Sequence, residues 1–286
     1  MKYAFIHKQR TKYSVGWMCA KLGISRSGYY KWLNSGDSKR HAKRVSLLQR
    51  ITEIFEYSKR SYGVPRVYRQ LRKEGYTCNH KTVEKLMRQH GLKARRKRRF
   101  RSTTDSKHSM PIAPNVLERE FTAQLANEVW VGDITYIDTK EGWLYLAVFI
   151  DLYTRRIVGW SMDSEMTADL VLDAFRMGEK RYCSPILVHS DRGSQYAAEL
   201  FRAELEKAGS VQSMSRKGNC WDNAVAESFF GSLKSEVIYH QVFETRMQAQ
   251  TTIFEYIEIW YNKRRLHSTL NYLTPDEFAL KCRKVA

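Results

Sequence analysis

Trp130-Val131-Gly132-Asp133-Ile134-Thr135-Tyr136-Ile137 is a strand-like apolar run with a single carboxylate in its middle. A carboxylate inside a buried strand is costly unless something compensates it, so Asp133 is a functional candidate on burial grounds alone. Two further acids have comparable flanks. Asp191, in His189-Ser190-Asp191-Arg192-Gly193-Ser194-Gln195-Tyr196, comes just after the apolar Ile186-Leu187-Val188, with His189 and Ser190 between. Glu227 lies in the helical stretch Asp222-Asn223-Ala224-Val225-Ala226-Glu227-Ser228-Phe229-Phe230. Three carboxylates of this kind can hold Mg²⁺ for phosphoryl transfer.

Spacing alone decides little, because 30 Asp and Glu residues supply many triples with 35 residues between the last two. Asp191 taken alone could be a loop or capping residue, and Glu227 an exposed helix acid. Asp138, Asp151 and Asp222 are competing carboxylates, with Asp222 a candidate cap for the Glu227 helix. The order of elements adds weight. Val129 to Asp138, Leu144 to Asp151 and Ile157 to Met162 read as consecutive strands, with turns at Lys140-Glu141-Gly142 and Thr154-Arg155. A helix is expected from Thr167 to about Lys180, a strand at Ile186 to Val188, a helix from about Ala197 to Ala208, and a brief strand near Val211. Lys234, seven residues beyond Glu227, shares its helix face. Phe229, Phe230 and Leu233 read as core.

The charge is unevenly shared. Residues 1–110 hold 29 Lys and Arg against 6 Asp and Glu, a net of +23, whereas residues 111–286 hold 20 against 24, a net of −4, which together give the +19 of the chain. The amino-terminal part therefore carries the attraction for a polyanion, and nucleic acid is the natural one. It also contains two helix pairs. Val15, Met18, Cys19 and Leu22 are helically spaced before a break at Gly23, and Ser25 can cap a helix bearing Arg26, Tyr29, Tyr30 and Lys31. The second pair begins at Pro65, turns at Gly75-Tyr76-Thr77, and continues from an Asn79 cap through Lys81, Val83, Leu86 and Met87 to Gly91. Each reads as a helix-turn-helix, or as a hairpin that only packs. Arg26, Tyr30 and Lys81 are the candidate DNA contacts. Lys93 to Arg101 puts seven cations in nine residues, and Arg95, Arg96, Lys97, Arg98 and Arg99 are expected to order on phosphates.

The five cysteines are scattered with no Cys-x-x-Cys pair, so they read as reduced thiols, and no zinc spacing is visible. No apolar run is long enough for a signal peptide or a membrane span, so the expected location is cytoplasmic. Division of the chain follows: residues 1–60, an amino-terminal helix-turn-helix region; 61–92, a second such unit; 93–117, a basic linker; 118–240, the catalytic core; 241–286, a helical extension and tail.

With Asp133, Asp191 and Glu227 so embedded, the chain resembles the DDE integrase and transposase superfamily. More narrowly, it resembles the second-frame (OrfB) transposase protein of the insertion sequence 3 (IS3) family. The match runs from about residue 14 to the carboxy terminus. It includes Tyr62-Gly63-Val64-Pro65-Arg66 and a tail signature carried by Tyr261, Asn262, Arg265, His267, Leu270 and Pro275. The resemblance implies an α/β fold, an RNase H-like integrase core preceded by an all-α helix-turn-helix region. It also implies two Mg²⁺ ions, or Mn²⁺, with Asp133 bridging both and Asp191 and Glu227 each completing one. Lys234 matches the basic residue that contacts the DNA end in that superfamily, and Arg264, Arg265 and His267 are candidates for DNA contact or, equally, for packing. The implied activity is metal-dependent cleavage and strand transfer at terminal inverted repeats of double-stranded DNA, with a circular intermediate, by a homo-oligomer at the bacterial nucleoid. A first-frame (OrfA) protein, separate or fused, is the implied partner. A silent DNA-binding repressor and an RNase H-type nuclease are the competing readings.

Overall fold

The computed structural model describes residues 2–34, 39–95, 110–118, 122–216 and 223–283. Three short helices open the chain: α1 (Lys2–Gln9), α2 (Val15–Leu22) and α3 (Arg26–Asn34). Ser14 caps α2 by accepting from the Trp17 amide, and Gly23 ends it at φ 63°, the left-handed conformation that glycine adopts without a Cβ penalty. The Ser25 hydroxyl then accepts from the Gly28 amide at 3.0 Å, as the sequence predicts. Ile6, Met18, Cys19 and Tyr29 form a small core of their own.

A 19-residue helix, α4 (Lys39–Tyr57), was not expected from the sequence. It packs with α5 (Val64–Lys73) and α6 (His80–Gln89), the second predicted pair. Ile51, Ile54 and Phe55 of α4 meet Val67 and Leu71 of α5 and Val83, Leu86 and Met87 of α6 in one core. A division at residue 60 would cut through that packing. The Arg50 guanidinium also grips the Glu74 carboxylate with two 2.7 Å hydrogen bonds, joining α4 to the end of α5.

A five-stranded sheet follows, built from β1 (Val129–Ile137), β2 (Leu144–Asp151), β3 (Ile157–Asp163), β4 (Leu187–Ser190) and β5 (Val211–Met214). Its order is β3-β2-β1-β4-β5, antiparallel across the first three strands and parallel from β1 to β4 to β5. This is the arrangement expected of the RNase H-like core. Both faces are covered, which is why the strands read as near-continuous apolar runs. One face carries α7 (Ala168–Arg181) and α9 (Glu199–Lys207) over Trp130, Phe149 and Val188. Gly159 permits the close approach of α7, since a Cβ there would stand 2.0 Å from the Ala174 carbonyl oxygen. The other face carries α10 (Ala224–Glu236) and α11 (Arg246–Phe254) over Val131, Val148 and Ile150.

One detail differs from expectation. The helix predicted from Ala197 to Ala208 is two, α8 (Ser194–Ala197) and α9, broken where Ala198 is extended at ψ 140°. Before the tail, α11 runs on from Phe254 as a π-helical stretch, Glu255–Tyr261, and α12 (Pro275–Arg283) follows.

The α4–α6 unit and the sheet's α10 face form one continuous core. Tyr62 clasps the tail: its hydroxyl accepts from the Leu266 amide at 2.7 Å and donates to the Arg264 carbonyl at 3.3 Å. Arg66 adds an Nε bond of 3.0 Å to the Leu266 carbonyl. Among the described residues no helix is long and apolar enough to cross a membrane.

Candidate active site

Pairing register brings the first two acids together. Val131 of β1 lies beside His189 of β4 in the parallel ladder, so Asp133 and Asp191 are each two residues beyond a matched pair. Neighbouring strands run about 4.8 Å apart, which puts the two carboxylates side by side at the mouth of the sheet. The Ile134 amide donates to Asp133 Oδ1 at 2.8 Å, and the Gly193 amide to Asp191 Oδ1 at 2.9 Å.

Glu227 reaches the same place from α10. The start of that helix is tied to β1 by Asn223, whose Nδ2 donates to the Gly132 carbonyl at 3.2 Å, one residue from Asp133. Burial, then the charges of Asp191 and Glu227, push the Asp133 carboxyl well above its usual range, against a smaller opposing pull from the Ile134 amide and Lys234. Burial also raises the Glu227 carboxyl. Three acids thus converge, and desolvation opposes ionisation of Asp133 and Glu227 while the neighbouring charges oppose that of Asp133 further.

Lys234 lies two turns along α10 from Glu227, buried, with its ammonium 5.0 Å from the centre of the Tyr136 ring. Burial lowers its pKa while the Asp133 charge raises it, so the two side chains sense each other. The site also includes two residues that sequence reasoning missed. Tyr196 is buried, its hydroxyl has no hydrogen-bond partner, and burial followed by the charges of Asp133 and Asp191 pushes it well above the usual phenol value. Asn223 is 5 % exposed and its Oδ1 is likewise unsatisfied. Neither had a local signal: each is placed by contacts far away in sequence.

Among the described residues no three His, Cys, Asp or Glu side chains form a ready-made metal cage. The donor set nonetheless fits a hard divalent cation: three carboxylate side chains, one of them Asp133 with its carboxyl pushed well above its usual range, and the unsatisfied Asn223 amide oxygen at the start of α10. Of the competing acids, Asp151 is spent on the β2–β3 turn, accepting from the Asn127 and Thr154 amides and the Thr154 hydroxyl. Asp138 is exposed, and Asp222 lies outside the described residues.

The expected DNA contacts divide into four groups. Arg26, Tyr30, Lys81 and Arg264 are exposed, and Lys81 lines a groove of about 1070 Å³ between α4 and α6 together with Lys43, Arg44 and Lys85. Arg96, Lys97, Arg98 and Arg99 lie outside the described residues. Arg265 and His267 are buried, at 4 % and 8 % exposure, and Arg265 is engaged by Glu236, which corrects the expectation that they touch DNA in favour of the packing alternative. Arg95 is half-buried and donates to the Glu236 carbonyl at 3.0 Å.

Known proteins agree with this geometry. The family descriptions "Integrase core domain" match residues 123–220 and 227–281, and "HTH-like domain" matches residues 42–100. The chain is 43 % identical over 285 residues to the transposase InsF for insertion sequence IS3A of Escherichia coli (strain K12), covering 98 % of this chain and 99 % of the relative.

The chain belongs to the IS3 family of transposases.

The transposase is also 41 % identical over 273 residues to the insertion element IS600 uncharacterized 31 kDa protein of Shigella sonnei, covering 94 % of this chain and all of that one. A solved structure, the HTLV-2 integrase catalytic core domain in complex with magnesium, is similar at 15 % identity and a TM-score of 0.43, covering 55 % of the transposase and 99 % of that chain. The transposase is a polynucleotidyl transferase of the integrase-core type, with an HTH-like unit ahead of its core.

Proposed function

We propose that Asp133, Asp191 and Glu227 are the catalytic acids and metal ligands of this transposase, and that the chemistry is hydrolysis followed by strand transfer at the terminal inverted repeats. The convergence of two adjacent parallel strands and α10 on one repelling carboxylate group carries this reading. Two Mg²⁺ held by those side chains would supply charge stabilisation for the attacking and leaving oxygens.

The chain's own groups do the rest. Water attacks the scissile phosphorus, the P–O3′ bond breaks, and the 3′ oxygen leaves as a hydroxyl after taking a proton. That hydroxyl then attacks a second phosphodiester, forming a new P–O3′ bond as another 3′ oxygen departs. No covalent protein intermediate is needed, so no Ser or Tyr nucleophile is required. Lys234, near Asp133, would hold a phosphate beside the scissile bond, while Asn223 fixes α10 against β1. Recognition of the ends falls to the helical units before residue 93, through Arg26, Tyr30 and Lys81, with the basic run Arg95 to Arg99 on the backbone and Arg264 at the tail. A homo-oligomer would bring two ends together, and a first-frame protein would complete recognition.

The test is cleavage and joining of labelled DNA bearing the element's own ends, with Mg²⁺ or EDTA, by the wild type and Glu227→Gln. Metal-dependent joining lost in the variant is expected. Tight end binding without joining, even with the first-frame protein added, would make the chain a DNA-binding regulator instead.

A further inference from the structure

On the back of the catalytic helix lies a cavity of about 460 Å³ that the chemistry above does not use. At 100° per residue, Ser228, Ser232 and Glu236 line one face of α10, and Glu227 and Lys234 lie well around the helix from them. Four arginines converge on the cavity: Arg66 from α5, Arg95 beyond α6, Arg155 from the β2–β3 turn and Arg265 from the tail. Glu236 is the one carboxylate among its described lining residues, and it is bound to Arg265 at 2.8 Å.

Among the described residues Arg66 makes no ion pair of its own. It bonds the Leu266 carbonyl and lies 5.7 Å from the Tyr62 ring centre, and neither group carries a charge. Ser61, 8 % exposed, lines the same cavity, and its hydroxyl has no hydrogen-bond partner. A pocket with several guanidinium groups, one already paired carboxylate and an orphaned hydroxyl matches a phosphate, which offers oxygen acceptors to forked donors.

We infer that this cavity is a phosphate-binding site joining the α4–α6 unit, the back of α10 and the tail. Resting on the transposase reading, the favoured source is a backbone phosphate of bound DNA; a free phosphate is the other. An occupied pocket would draw Arg66, Arg155 and α10 onto one anion, so a phosphate held by the recognition half would steady the helix that carries Glu227.

The experiment titrates the full chain with inorganic phosphate by calorimetry, against chloride at matched ionic strength, for the wild type, Arg155→Gln and Ser228→Asp. In parallel, the salt dependence of binding to an end duplex is measured for all three. Phosphate is expected to bind the wild type, about tenfold or more weakly in Arg155→Gln. In Ser228→Asp it should not bind at all, because the new carboxylate occupies the site; that variant should melt at a higher temperature than wild type without phosphate, a gain that a misfolded protein cannot give. A slope of log K against log salt smaller by about 1 in Arg155→Gln identifies the DNA backbone as the source, and an unchanged slope with phosphate binding lost identifies a free phosphate. Phosphate binding unaffected by either substitution overturns the site, as does the absence of both phosphate binding and any change in slope. Strand joining by the wild type is scored separately, so failure of this site and failure of the catalytic assignment are distinguishable.

Discussion

Arg265 and Glu236 form an ion pair sealed inside the protein, with Nη2 2.8 Å from Oε1 and side chains 4 % and 7 % exposed. Tyr256 and Trp260 also donate to the same carboxylate, and Ser232 accepts from the guanidinium. Removing one partner leaves a buried charge uncompensated. Arg265→Met or Glu236→Gln alone should therefore cost about 3–5 kcal/mol in urea unfolding, and the double replacement less than the two losses added. Loss below about 1 kcal/mol in both single variants would mean the pair is solvated.

Asp133→Asn should abolish strand cleavage yet raise the melting temperature in EDTA. The buried carboxylate is repelled by Asp191 and Glu227, and the amide relieves both costs. Mg²⁺ should stabilise the wild type but not the variant. A variant that melts lower than wild type, with the fold intact by circular dichroism, would show that the three charges do not oppose one another.

His267 should make the protein acid-sensitive above the carboxylate range. Burial, then Arg265, Arg66 and Arg155, hold its imidazole well below the usual value. Arg265 Nη1 stands 3.3 Å from His267 Nε2, an arrangement that needs a neutral ring accepting there. The unfolded chain binds a proton near pH 6.5 and the folded chain does not, so stability is full above that value and falls as pH drops through it. The slope is at most about 1.4 kcal/mol per pH unit. Urea midpoints measured from pH 8 to pH 5 should show it, and His267→Gln should flatten the profile between pH 6.5 and 5.

Gly159→Ala should destabilise by about 3 kcal/mol, the upper end for overpacking, because the added methyl meets main-chain atoms of α7 rather than a side chain that can turn aside. Thermal melts read this directly. A variant as stable as wild type would mean α7 can lift from β3 without loss.

Much of this was legible in the sequence because it is written locally. Gly23, Ser25, Asn79 and Gly91 mark helix ends by capping and turn chemistry, and the β2 limits follow from an unbroken apolar run. Asp133 stood out for the same reason, a charge in a strand. The α4 helix carried its signal in Leu48, Ile51, Ile54 and Phe55, which the reading of residues 1–60 as one helix-turn-helix region passed over. Arg265 could not be assigned from its neighbours, since its burial depends on Glu236, 29 residues away. Asp222 reads as the cap of the Glu227 helix, whereas it is the Asn223 amide that ties the start of that helix to a strand 91 residues earlier.

The Tyr62 clasp means that the recognition half and the catalytic half are not beads on a string. A fragment begun after residue 110 would keep all three acids but strip the cover from Trp260, Leu266 and Tyr272, leaving an oily scar where α4 to α6 had lain. Such a fragment should come out of cells as aggregate. Its failure to cut DNA would then report the missing cover and say nothing about the competence of Asp133, Asp191 and Glu227.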